Sequence, residues 1–190
     1  MDIDKYRVGL AERKHIRVLP DIERAAAARF PDEVLTPEIR TSTVPVEQLE
    51  AAHAEGRLWT AVTATGEPVG FAIAMREADT AFLQEIDVHP AHQKRGLGRQ
   101  LIAHVIDWAH AQQLAWLTLT TFEYVPWNAP FYSRLGFRKL TECELSRELR
   151  ERLEEERERG LRQRVAMRLE IGLEPPGDAT HATCSRARAS

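Results

Sequence analysis

The chain has 190 residues, 43% hydrophobic and 29% charged, with a formal net charge of −3 at pH 7. That length supports one domain with a real hydrophobic core, and the slightly acidic balance excludes a generally basic nucleic-acid-binding surface. Cys143 and Cys184 are too few for a disulfide framework and lack zinc spacing. No apolar run approaches the roughly 20 residues of a membrane span, and MDIDKYRVGLAERKH lacks the apolar stretch of a secretion signal. The expected compartment is the cytoplasm, with no membrane and no nucleic acid as partner.

In chain order, YRVGLA (6–11) reads as a short strand. From 12 to 29 the pattern is helical, with Ile16, Leu19, Ile22, Ala26 and Phe30 three or four apart and Pro20 kinking or dividing the run. Segment 30–45, with three prolines, reads as a loop or a broken helix, and 45–56 as a short helix starting at Pro45 and stopped by Gly56. Three strands are expected at 57–63, 68–76 and 81–89, joined by TGEP and EADT as an antiparallel meander. The middle one is almost wholly apolar, as for a strand buried on both faces.

Leu97, Leu101, Val105, Trp108 and Ala109 then make the stripe of a helix of about four turns. A strand at 115–121 follows, so strand, helix and strand imply a parallel crossover. A helix at about 127–135, a stop at Gly136 and a strand at 137–145 come next. Segment 146–160 is a charged helix with a narrow stripe of Leu145, Leu149 and Leu153, read as a solvated surface helix. A strand at 164–172 is expected to pair with 137–145, and the tail 174–190 is expected to be disordered for want of apolar residues.

HQKRGLGRQL (92–101) sits between a strand and a helix start. Helix starts leave N–H groups unpaired and favour negative charge, and glycine lets a backbone approach a ligand closely. The turn therefore reads as a phosphate or pyrophosphate cradle. It lacks the Lys of a P-loop and the third glycine of a dinucleotide fingerprint, since position 101 is Leu. What stands is Gln93-x-x-Gly96-x-Gly98, preceded by Val88-x-Pro90 and followed by Asn128 and FYSRLGF (131–137).

In this order these motifs resemble the GNAT superfamily of N-acetyltransferases. The resemblance spans about 5–170 and is specific over 82–142. It implies an α/β (α+β) domain over 1–173 with a mixed, mostly antiparallel central sheet flanked by helices and splayed where acyl-coenzyme A enters. The implied donor is acetyl-CoA as cosubstrate, and the implied acceptor is a primary amine, with a small molecule favoured over a protein amine and a homodimer compatible with the fold. A non-catalytic acyl-CoA-binding or partner-interaction module on the same fold is the rival.

The resemblance places the pyrophosphate on the backbone of Lys94, Arg95, Gly96, Leu97, Gly98 and Arg99, with the three basic side chains either adding charge or lying as ordinary surface. It gives Val88 a backbone N–H role at the thioester carbonyl, Gln93 a place in the cradle, and Asn128 either a cap or a contact to the cofactor arm. It makes Tyr132 a proton donor to the leaving thiolate, against a plain core aromatic.

A base must take the proton of an amine whose ordinary pKa is about 10.4 if lysine-like. Glu85 and Asp87 share one face of their strand, expected to be opposite to Phe82, Ile86 and Val88. Glu85 is the preferred base, and Glu123 is a second carboxylate expected to line the acceptor cleft. Phe122, Tyr124 and Trp127 either wall that cleft or pack. His89, His92, His104 and His110 form no metal-binding spacing, so no metal is expected. Neither cysteine sits in a nucleophile motif, which favours direct attack in a ternary complex.

Overall fold

The computed structural model describes residues 5–172; the tail expected to be disordered lies outside them. β1 (Tyr6–Leu10) leads into a 3-10 turn at Arg13–Val18 and helix α1 (Leu19–Ala27), so Pro20 divides the helical run by starting the second piece. α2 (Pro37–Thr41) is the helical fragment in the proline-rich segment, and α3 (Val46–Ala54) runs from Pro45 to the left-handed Gly56. The meander is β2 (Leu58–Thr63), β3 (Pro68–Glu77) and β4 (Thr80–Val88). Then come α4 (Leu97–Ala111), β5 (Trp116–Phe122), α5 (Ala129–Ser133), β6 (Arg138–Lys139), α6 (Arg147–Glu158) and β7 (Arg164–Glu170).

The seven strands described form one sheet in the order β1-β2-β3-β4-β5-β7-β6. All neighbours are antiparallel except β4 and β5, which run parallel across the α4 crossover. β3 is buried on both sides, as its composition requires. On one face, Leu97, Leu101 and Val105 of α4 pack on Trp59, Ala72, Leu83, Leu117 and Leu119, together with Tyr132 and Phe137. On the other, Leu19, Ile22 and Leu49 of α1 and α3 cover Leu58, Phe71 and Ile73, while Leu145 and Leu149 cover Phe82 and Ala166.

The expected splay and one departure stand out. Parallel pairing of β4 with β5 covers only Thr80–Phe82 against Trp116–Thr118, after which the strands part. β5 stays paired with β7 through Phe122, so the split opens within the sheet rather than at its edge. The strand expected at 137–145 is cut to Arg138–Lys139, because Thr141 and Glu144 form a reciprocal capping box that starts a 3-10 turn there.

Candidate active site

A β-bulge in β4 sets the wall of the split. Pairing shifts between Ile73 and Ala74 of β3, so that Ile73 faces Glu85 and Ala74 faces Leu83, leaving Gln84 over. The extra residue inverts the alternation. Leu83, Ile86 and Val88 pack toward α4, whereas Phe82 packs beneath α6. Phe82 therefore does not join Ile86 and Val88 as simple alternation predicts, and it shares the opposite side with Glu85 and Asp87.

At the end of β4, His89 donates its N–H to Val69 O at 2.8 Å. By the alternation of an antiparallel ladder, the N–H of Val88 points away from β3, toward the space that β5 has vacated. Gly70 permits this close approach, since a Cβ on it would stand 2.9 Å from Asp87 O and 3.1 Å from Val88 Cγ2.

The glycine turn takes left-handed backbone at Lys94 (φ 59°) and Gly96 (φ 82°). Gly96 is the N-cap of the 15-residue α4, and no side chain caps that end. The first intrahelical bond there runs from Gln100 N to Gly96 O, which leaves the N–H groups of Leu97, Gly98 and Arg99 for another acceptor. Phe131 of α5 lies 3.5 Å from a Cβ placed on Gly98, so the two glycine-bearing motifs of the sequence meet.

One cavity of about 1170 Å³ joins this helix start to the split. Val88, Gln93, Lys94, Gly96, Leu97, Gly98, Arg99, Asn128, Tyr132 and Glu85 all line it. Arg95 is the exception; it is exposed, with its guanidinium 5.8 Å over the Tyr6 ring. Gln93 turns its amide inward, Nε2 donating to Val88 O at 2.8 Å and Oε1 accepting from Arg29. Asn128 donates from Nδ2 to Thr121 Oγ1 at 3.0 Å, and its Oδ1 is buried without a partner. Phe122 and Trp127 line the cavity, whereas Tyr124 is exposed outside it. Glu123 does not line it, because its carboxylate pairs with Lys139.

Sequence reasoning missed two contributors. Glu23 of α1 reaches Glu85 and Asp87, and one carboxylate oxygen of each lies within 4.8 Å of the others. Among the described residues, these three are the ones close enough to hold a metal ion together. Burial and the nearby Glu85 push Glu23 up to about 8. Burial likewise raises Glu85, and burial with the charges of Glu85 and Glu23 raises Asp87 further. Tyr132 is held well above the ordinary phenol range, first by burial and then by Glu85 and Asp87.

The second contributor is α6. Its leucines dock it as expected, but Arg152, Glu155, Glu156 and Arg159 form the far wall of the cavity. Arg164 of β7 grips Glu156 with Nε–Oε2 at 2.8 Å and Nη2–Oε1 at 2.9 Å, and Thr120 donates to Glu156 Oε1 at 2.6 Å. Spacing of 152, 155, 156 and 159 on one helical face was the available signal.

A family model described as the acetyltransferase (GNAT) family matches residues 19–137. The chain is 34% identical over 95 residues to streptothricin acetyltransferase of Streptomyces lavendulae, covering 46% of this chain and 48% of that protein. It is 35% identical over 80 residues to the ribosomal protein bS18-alanine N-acetyltransferase of Escherichia coli (strain K12), covering 42% and 54%. The matches span about half the length of these curated relatives. Among solved structures, the Escherichia coli ribosomal-protein-S18-alanine N-acetyltransferase aligns with a TM-score of 0.61 at 22% identity, over 92% of this chain and 99% of that one. N-acetylglutamate synthase from Neisseria gonorrhoeae, complexed with coenzyme A and N-acetyl-glutamate, aligns at 0.67 and 19% identity, over 88% and 35%. At these identities the structures share the fold.

Proposed function

The chain belongs to the acetyltransferase (GNAT) family, and on that premise we propose that it moves an acetyl group from acetyl-CoA to a primary amine of a small molecule, by direct attack in a ternary complex. The observation that carries this reading is one cavity joining the uncapped start of α4 to Val88, Tyr132 and the carboxylates of β4. An anion at that helix start gains both unpaired N–H donors and the helix dipole. Lys94 and Arg99 line the cavity beside it and add positive charge. The orphaned Oδ1 of Asn128 fits an amide-bearing arm, because it needs an N–H donor that no described residue supplies.

The amine nitrogen forms a bond to the thioester carbonyl carbon and the carbon–sulfur bond breaks. Glu85 takes the amine proton, which a carboxylate of raised pKa accepts better than an ordinary one. The Val88 N–H faces the developing oxyanion. Tyr132 keeps its proton at neutral pH and gives it to the departing thiolate.

A small acceptor is favoured because α6 and the segment around Val44 and Gln48 enclose the side of the cavity away from α4. The name of the Streptomyces lavendulae relative agrees with such an acceptor, whereas that of the Escherichia coli relative points to an alanine of a ribosomal protein. Calorimetric titration with acetyl-CoA, ATP and NAD tests the donor. Thiol release with a panel of amines and N-terminal peptides then tests the acceptor. Binding of acetyl-CoA alone and turnover of small amines are expected; preference for ATP overturns the donor, and turnover of peptides only overturns the acceptor class.

A further inference from the structure

The acid groups in the cavity exceed what one reacting amine requires. Glu23, Glu85 and Asp87 crowd within 4.8 Å, yet among the described residues the hydrogen bonds to this cluster come only from backbone. Both oxygens of Glu23 accept from Val44 N, at 2.9 and 3.2 Å, and Glu85 accepts from Ile86 N at 3.2 Å. Arginines of the far wall make their hydrogen bonds elsewhere, Arg164 to Glu156 and Thr120 and Arg152 to Glu77 at 2.6 Å, and the charge of Arg164 only partly offsets the burial of Glu85. The last turn of α6 adds one acid, Glu155, and its C-cap Arg159 one base, which cancel.

A second, independent feature opens onto the same place. Tyr132 is 7% exposed and lines the cavity, and its hydroxyl makes no hydrogen bond to any described residue. That hydroxyl is therefore free to meet a polar group of a bound ligand.

One ammonium ionises and pairs with one carboxylate, whereas burial holds the remaining acids protonated until a second cation meets them. We propose that the acceptor is a diamine or longer polyamine, whose reacting nitrogen lies beside Glu85 and whose second ammonium is held by Glu23 and Asp87. This rests on the acetyl-transfer reading above. The raised pKa values of the three acids agree with it, because a dication entering the cluster favours their ionised forms.

The test compares putrescine with butylamine, which match in chain length and differ by one ammonium, by thiol release in EDTA-containing buffer. Wild type and Glu23→Gln are assayed, and acetyl-CoA is titrated calorimetrically into each. Gln keeps a carbonyl oxygen for the Val44 N–H, so the local fold has its acceptor.

The expected kcat/KM for putrescine exceeds that for butylamine about ten-fold or more, beyond the roughly two-fold statistical advantage of two equivalent amines. In Glu23→Gln the ratio falls toward one while acetyl-CoA affinity is unmoved. Equal values in wild type, an unchanged ratio in the variant, or turnover of neither amine with acetyl-CoA bound overturns the proposal and leaves the donor assignment standing. Activity lost in EDTA and restored by Mg²⁺ also overturns it, making the cluster a metal site. Failure to bind acetyl-CoA instead overturns the acetyl-transfer reading itself.

Discussion

The side chain of Gln93 donates from Nε2 to the carbonyl of Val88 at 2.8 Å, tying the glycine turn back onto the strand that enters it. Its contribution to an anion site is therefore made through the shape of the turn. Gln93→Ala removes a hydrogen bond worth about 1 kcal/mol net. Acetyl-CoA affinity is expected to fall about five-fold by calorimetry, with kcat at saturation little changed. A variant that binds as tightly as wild type would show that the turn holds itself.

Tyr132→Phe separates chemistry from packing. The ring is buried against Phe131 and Phe137, with centroids 5.3 and 5.5 Å away, and phenylalanine preserves those contacts. The hydroxyl has no partner to lose among the described residues, so the melting temperature should hold. A fall in kcat of about a hundred-fold, at unchanged acetyl-CoA affinity, is expected of a lost general acid. Unchanged kcat would reduce Tyr132 to a core aromatic.

Gly70→Ala tests the contact that seats the end of β4. The new methyl would meet Asp87 O at 2.9 Å, and backbone cannot swing aside as a flexible side chain can. Loss of about 1–3 kcal/mol of stability is expected, together with weaker acetyl-CoA binding as Val88 shifts. Gly9→Ala in β1, which meets nothing within 4 Å, is the control and should not destabilise.

The carboxylate cluster fixes the sign of a pH effect. Folded Glu23 titrates at about 8 instead of its ordinary 4.5, so between these values the folded chain holds a proton that the unfolded chain has lost. Stability falls as pH rises through that window, and Glu85 and Asp87 act in the same direction. The contribution is complete below about 4.5 and gone above about 8. Melting curves of the ligand-free protein should show this decline, and Glu23→Gln should flatten it. A wild-type melting temperature that rises across the window contradicts a protonated resting cluster.

Local patterns carried much of this architecture. Gly96 ahead of the Leu97–Leu101–Val105 stripe marked the helix start, and the run around Phe71 and Ile73 marked a strand buried on both faces. The bulge at Gln84 was not legible, because no local rule tells which strand takes an extra residue; it reversed the expected side of Phe82. Glu23 joins Glu85 and Asp87 across a long stretch of chain, through a tertiary approach that periodicity does not encode. For 141–144 the signal was present, since Thr141 and Glu144 have capping-box spacing, but the apolar residues around them suggested a strand.

The short parallel seam between Thr80–Phe82 and Trp116–Thr118 means that β4 and β5 lack each other's hydrogen bonds over the rest of their course. A ligand lying there substitutes for missing ladder rungs, with its polar groups standing where a neighbouring strand's would be. Occupancy and the mechanical unity of the sheet thus become one quantity. It can be followed as slowed amide exchange along 83–88 and 119–122 when the donor is added, with little change in the meander that flanks β4 on its other side.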